Sequence, residues 1–242
     1  MRIDKFIASQ RTDLSRQDVK RLIRKGEVTL DGEEVTSPET QALADSEVLV
    51  SGEKIVYREH IYLMINKPQD YVCSTSDRDG TNVLELVPPK LRRKGLFPAG
   101  RLDKDSEGFV LVTDDGELAH KMLAPSSHVP KTYYVRLEKP FEEKYQELFA
   151  KGMSLDALDG EGMESCLPAE ICSDESDECA CTVILHEGKH HQIKRMFENV
   201  GNKVVFLRRI CIGNLPLEEN LPLGGCLEIL HKDVENLLTL KI

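Results

Sequence analysis

Tryptophan is absent from this 242-residue chain, and aromatic residues of all kinds make up only 5% of it. Carbohydrate clefts are usually lined with aromatic rings, so a sugar hydrolase built on a pair such as Asp103 and Glu107 is disfavoured. No run approaches the roughly 18 uninterrupted apolar residues that a membrane span needs, and the N-terminus lacks the basic-then-apolar layout of a secretory signal. A soluble, cytoplasmic protein is expected, with no membrane partner. The chain has no C-x-x-C pair. Its seven cysteines are odd in number and scattered, so reduced thiols are expected rather than disulfide staples. Cys179, Cys181, His186, His190 and His191 are the only group suggestive of a metal, and the Cys-x-Cys spacing is not that of a zinc knuckle. No internal repeat and no long polar low-complexity tract is present. The 40% hydrophobic content suffices for one good-sized core and a small satellite domain.

The chain also lacks an excess of positive charge: its formal net charge is −10. Taken alone, this argues against a nucleic-acid partner, because phosphate contacts supply most of the affinity in such complexes. The distribution reverses that argument. Between Glu138 and Glu178 stand thirteen acidic residues against three lysines, a local balance equal to that of the whole chain. The first thirty residues instead carry eight cations against four anions, and a basic face is available there.

Ile3, Phe6 and Ile7 share one helical face. A second helix is marked by Ser15 with Asp18 three residues on, then Val19, Leu22 and Ile23, ending at Gly26. Arg16, Lys20, Arg21 and Arg24 occupy other sides of this helix. Val28 to Leu30 then runs into the hairpin-type turn Asp31-Gly32, and Val48 to Val50 adds another short strand. This stretch is similar to the S4 RNA-binding domain, whose paired helices present basic side chains to structured RNA. The resemblance implies RNA contacts for Arg16, Lys20, Arg21 and Arg24. The polar segment Ser51 to His60 reads as a linker, giving domains of residues 1–58 and 59–242.

The second domain opens with the apolar strand Ile61 to Ile65. Further strands are expected at Phe109 to Thr113, Thr132 to Leu137, Thr182 to Leu185 and Val204 to Leu207. Helices are expected at Gly116 to Leu123, capped by Asp114, at Phe141 to Lys151, and at Gln192 to Val200, which stops at Gly201. Strands outnumber helices without regular alternation, so the class is α+β.

The segment Gly100-Arg101-Leu102-Asp103-Lys104-Asp105-Ser106-Glu107-Gly108 places a carboxylate, a guanidinium and a hydroxyl on a loop at the edge of a sheet. A lone loop Asp is more often a turn former than a catalyst. The flanking residues change that weighting: "GRLDKDSEGFVLVTDDGELAHKML" resembles the motif of the RsuA branch of pseudouridine synthases. Three further segments follow in the family's order: "NKPQDYVCST", "KTYYV" and "EGKHHQIKRMFENVGNKVVFLRR". The match covers nearly the whole chain, and its spacing resembles small-subunit members more than large-subunit relatives.

The resemblance implies a catalytic domain built on a mixed, mainly antiparallel sheet with flanking helices. It implies an isomerase that flips a uridine out of ribosomal RNA and moves its glycosidic link from N1 to C5. No redox step or net hydrolysis is involved, so no cofactor and no metal are expected. Asp103 occupies the position of the essential carboxylate, as nucleophile or as base. A carboxylate taken out of water stays ionised only beside a cation, and the residue at the family's position for that cation is Lys194. Tyr133 matches the tyrosine that packs against the flipped base, where an aromatic face replaces lost stacking. Arg101, Lys67 and Arg195 are carried over as RNA contacts, although for Arg195 simple contact with solvent or phosphate is the better reading. Asp70 departs from the family's usual Gly and calls for a left-handed backbone that Asp tolerates. The expected substrate is the RNA of the small subunit or of its assembly intermediate, handled by a monomer. The alternatives are a large-subunit RNA target, and a non-catalytic RNA-binding assembly factor.

Overall fold

The computed structural model describes residues 1–74, 80–157 and 162–238. Thr75 of the quoted Asn-Lys-Pro-Gln segment and the acidic Asp159 and Glu161 lie outside the described residues. Clustering of contacts divides the chain into two compact units: Met1–Ile61 with Val87–Leu96, and Tyr62–Leu86 with Phe97–Ile242.

In the first unit, α1 (Ile3–Gln10) buries Ile3, Phe6 and Ile7, the face read from their spacing. Helix α2 (Arg16–Arg24) begins with a full capping box: the Ser15 hydroxyl accepts from the Asp18 amide, and Asp18 accepts from the Ser15 amide. Two orphan donors at the helix start are thereby satisfied. Strands β1 (Val28–Leu30), β2 (Glu33–Glu34), β3 (Val48–Val50) and β4 (Glu53–Ile55) form an antiparallel sheet in the order β2-β1-β3-β4. Asp31-Gly32 closes the first hairpin and Ser51-Gly52 the last, all four at positive φ, as two-residue turns between twisted strands require. Part of the segment read as linker is therefore a strand, because Ser51-Gly52 is a turn chemically equivalent to Asp-Gly. Val19, Ile23, Val28, Val35, Val48, Val50 and Ile55 complete the core with the α1 face. Val87–Leu96 belongs to this unit too: Thr12 donates to the Pro89 carbonyl and Arg93 to that of Glu59.

The second unit is α+β. Its main sheet runs β11 (Glu170–Ser173), β12 (Ala180–Leu185), β8 (Lys131–Leu137), β13 (Val204–Ile212), β7 (Glu107–Thr113), β5 (Tyr62–Lys67) and β15 (Cys226–Glu228). The short strands β6 (Phe97–Ala99) and β14 (Leu215–Pro216) pair with β7 and β13. Among the described residues β13 and β7 are the one strand pair in parallel, so the sheet is mixed and mainly antiparallel. Strand β7 lies in its interior, between β13 and β5. Strand β5 is buried at all six positions, the mark of a strand covered on both faces.

Helix α3 (Gly116–Leu123) is capped by Asp115 rather than Asp114: the Asp115 carboxylate accepts from the Leu118 amide and from the Tyr62 hydroxyl. Helix α4 (Lys144–Ala150) starts three residues later than expected, and the Phe141 amide before it donates to the Glu178 carbonyl. A separate hairpin, β9 (Met153–Asp156) with β10 (Met163–Cys166), precedes β11. Helices α5 (Gln192–Asn199) and α6 (His231–Leu238) complete the unit. No helix among the described residues is long and apolar enough to cross a membrane.

Candidate active site

Asp103 lies on the loop between β6 and β7, and several backbone groups of that loop are fastened. Arg209, from β13, is 2% exposed, and its guanidinium donates to the carbonyls of Gly100 (2.9 Å), Arg101 (3.3 Å) and Phe109 (2.7 Å). The Leu102 amide reaches the Cys73 Sγ, and the Asp103 carbonyl accepts from the Ser106 amide. The Lys104 carbonyl accepts twice, from the Asp70 amide at 2.8 Å and from Lys67 Nζ at 3.3 Å. Asp70 does this at φ 69°, the left-handed conformation its place in the motif calls for. Gly108, where β7 begins, could carry no side chain: an added Cβ would sit 2.2 Å from the Arg209 carbonyl oxygen. These bonds hold the carboxylate in place before any ligand arrives, which is how a site avoids reorganisation during reaction.

The two oxygens of Asp103 face different donors. Lys194 Nζ, from the first turn of α5, lies 3.2 Å from Oδ2, and His191 Nε2, just before that helix, lies 3.6 Å from Oδ1. Lys194 sits closer still to Asp105, at 2.7 and 2.9 Å from its two oxygens. Burial pushes the Lys194 pKa down, but hydrogen bonding to Asp105 and the charge of Asp103 prevail, and it stands above the usual ammonium range. For Asp105 burial pushes up, the Lys194 hydrogen bond prevails, and its pKa is held below the ordinary value. The sequence joined Lys194 to Asp103, and the fold brings them together, with Asp105 as a second carboxylate on the same ammonium.

Tyr133 is buried on β8, opposite Arg209 in the register with β13. Paired residues on neighbouring strands project to the same face. The ring therefore lies on the face to which Arg209 fastens the Asp103 loop. The Arg101 side chain is exposed.

Lys67 and Arg195, carried over as RNA contacts, are placed otherwise. Lys67 is fully buried, with its ammonium donating to the Pro68 and Lys104 carbonyls, so it joins two loops rather than facing a ligand. Arg195 binds Glu164 at 2.7 Å and the Asp156 carbonyl at 2.6 Å, tying α5 to the β9-β10 hairpin. On α2, Arg16 binds the buried Asp4 and Arg21 pairs with Asp18, whereas Lys20 and Arg24 make no ion pair among the described residues. Among the described residues no three His, Cys, Asp or Glu side chains converge to hold a metal ion.

Asp105, His191, Arg209 and Cys73 all lie in the quoted motifs but were given no role from sequence. For Arg209 a signal was present: alternation along β13 puts it on the same side as the buried Leu207, and a cation among core residues must have partners. For Asp105 and His191 there was none, since their meeting at Lys194 and Asp103 joins segments about ninety positions apart.

Two family models match the chain, the S4 domain over residues 1–48 and RNA pseudouridylate synthase over residues 61–199. The chain is 39% identical to an uncharacterized RNA pseudouridine synthase of Bacillus subtilis, with 97% of each protein covered. It is 38% identical to ribosomal small subunit pseudouridine synthase A of Haemophilus influenzae and 37% identical to that of Escherichia coli, covering 98% of this chain and 100% of each relative. A crystal structure of a pseudouridylate synthase, 37% identical, superposes with a TM-score of 0.67 and covers 98% of this chain and 99% of its own. Fastened loop, paired carboxylate and full-length likeness agree: the chain belongs to the RNA pseudouridine synthase family, as an S4-bearing isomerase of its RsuA branch.

Proposed function

We propose that this protein converts one uridine of 16S, small-subunit ribosomal RNA to pseudouridine. The target base is flipped from its stack and exchanges its C1′–N1 bond for a C1′–C5 bond. The C5 proton departs and N1 gains one, so the reaction consumes neither water nor electrons. Asp103 is the essential carboxylate, as nucleophile at the ribose or as base at a ribose C–H. Lys194 balances its charge, Tyr133 supports the extruded base, and Arg101 contacts the strand. Extrusion costs a few kcal/mol, which stacking on an aromatic ring offsets in part. On α2, Lys20 and Arg24 contact RNA phosphate, joined by Arg21, whose exposed pair with Asp18 is worth little and exchanges readily, and by Arg16, whose guanidinium also holds the buried Asp4. The enzyme is read as a cytoplasmic monomer acting on the small subunit or its assembly intermediate.

The observation that carries this reading is the Asp103 carboxylate, prefastened and paired with Lys194, in a chain that resembles two small-subunit synthases over almost its full length. The test is to map pseudouridine in ribosomal RNA from cells lacking the gene, then restore wild type or Asp103→Asn. One small-subunit site should vanish, return with wild type and stay absent with the variant. Loss of a large-subunit site moves the substrate, no loss at all favours a binding factor, and rescue by Asp103→Asn removes the carboxylate from the chemistry.

A further inference from the structure

Lys131 opens β8, held between two neighbours: its register partners are Leu185 on β12 and Ile212 on β13. It precedes Tyr133 by two residues, so both project to one face of the sheet, as does Arg209 opposite Tyr133. The Lys131 side chain is half-buried. Three other cations of this site that are wholly or partly buried have partners: Lys67 two carbonyls, Arg209 three, and Lys194 two carboxylates. Among the described residues no carboxylate or carbonyl pairs with the Lys131 ammonium, and the charged group acting on it is the Arg209 guanidinium. Burial, with the Arg209 guanidinium close enough to add repulsion, pushes its pKa down to about 8. An ammonium withdrawn from water beside another cation, and given no protein counter-ion, costs stability. Its location on the Tyr133 face supplies a compensating purpose.

We propose that Lys131 is an anion-contact residue of the active site, whose ammonium takes a phosphodiester oxygen of the RNA strand next to the flipped uridine. The inference rests on the RNA-substrate reading above and adds a contact to it. A phosphodiester fits because its charge is spread over two unesterified oxygens, and Lys131 offers a compact point charge with up to three donors. Arg209 is poorly placed for this work, since it is 2% exposed and three of its five donors are committed to the loop. Lys131 and Tyr133 then hold backbone and base of one nucleotide from adjacent positions on a single strand.

The experiment uses the full chain and the ribosomal RNA fragment whose pseudouridine disappears in the gene-deleted cells. Binding is measured across salt concentrations for wild type, Lys131→Gln and Lys131→Arg, on RNA with each phosphate flanking the target replaced in turn by an uncharged methylphosphonate. Lys131→Gln should weaken binding about tenfold at low salt and flatten the log-log salt slope by about 0.7, while Lys131→Arg keeps the slope. One methylphosphonate should weaken wild type by the same factor and leave Lys131→Gln unaffected. Penalties that multiply at every position overturn the proposal, as does an unchanged slope in Lys131→Gln. A fall in single-turnover rate with affinity intact overturns it too, since Lys131 would then act on the reacting atoms. Inorganic phosphate competing against wild type but not Lys131→Gln, with no methylphosphonate effect, would assign the group to free phosphate instead. Should Lys131→Gln fail to fold, the methylphosphonate series on wild type still decides: no flanking position that flattens the slope means no contact. Pseudouridine formation by wild type in the same samples separates failure of this contact from failure of the substrate reading.

Discussion

At the scale of the residue, the site depends on one ammonium shared by two carboxylates. Lys194 is 20% exposed, Asp103 26% and Asp105 70%. Water therefore screens the triad, and the roughly 3–5 kcal/mol lost when a buried pair is broken is an upper bound here. Lys194→Met should lower the single-turnover rate by about tenfold or more, equivalent to about 1.4 kcal/mol, with RNA affinity little changed. An unaltered rate would show that the carboxylate does not need this cation. Asp105→Asn tests the second carboxylate through pH. The Asp105 pKa is depressed below its ordinary 3.8, so its stabilising pairing is present above that value and is lost as pH falls through the lower folded value. The Lys194 pKa is raised above 10.5, so its share is present below that value and lost only as pH climbs through the higher folded one. The melting-temperature difference between wild type and Asp105→Asn should thus be constant from pH 6 to 8 and shrink below about pH 4. A difference that instead varies between pH 6 and 8 would place another titrating group in the pair.

At the scale of the element, the proposed active site is set up by how β7, β13 and the loop before β7 are joined. Arg209 alone accepts responsibility for three carbonyls, and a lysine, with one nitrogen at the end of a flexible stem, cannot span them. Arg209→Lys should release the Gly100 and Arg101 carbonyls and let the Asp103 loop shift. A displacement near 1 Å at a reacting group costs about 100-fold in rate, so kcat should fall on that order while KM for RNA stays within about twofold. Equal loss in both terms would indicate general unfolding rather than misplacement. The elements themselves were legible to differing degrees. Helix α2 and its Ser15–Asp18 box, the Asp31-Gly32 hairpin and strand β5 follow from local chemistry and were read from the chain. Strands β4, β6, β9, β10, β11, β14 and β15 and helix α6 were not. They are short or polar on one side, and what makes β15 a strand is its pairing with β5 about 160 positions away, which no local pattern announces.

At the scale of the molecule, charge is sorted rather than balanced. Lys20 and Arg24 stand on α2 with no acidic partner among the described residues, within a chain whose net charge is −10. Replacing both by glutamine should flatten the salt dependence of RNA binding by about 1.4 in log-log slope, about 0.7 for each phosphate released, without changing the single-turnover rate on bound RNA. An unchanged slope would take the S4 unit out of phosphate binding. We also propose that the functional boundary between domains follows residues 1–58 and 59–242 in sequence only, since Val87–Leu96 is grouped with the first unit.

The sequence by itself determined the class of fold, the family, the candidate carboxylate at Asp103 and its cation at Lys194, because these rest on local periodicity and on ordered motifs. Tertiary structure alone decided that Asp105 shares that cation, that Lys67 and Arg195 are committed to protein atoms, and that Arg209 fastens the loop. The physical reason is range: periodicity and capping act over a few residues, whereas an ion pair or a carbonyl clamp is made by side chains brought together from about thirty to more than a hundred positions apart.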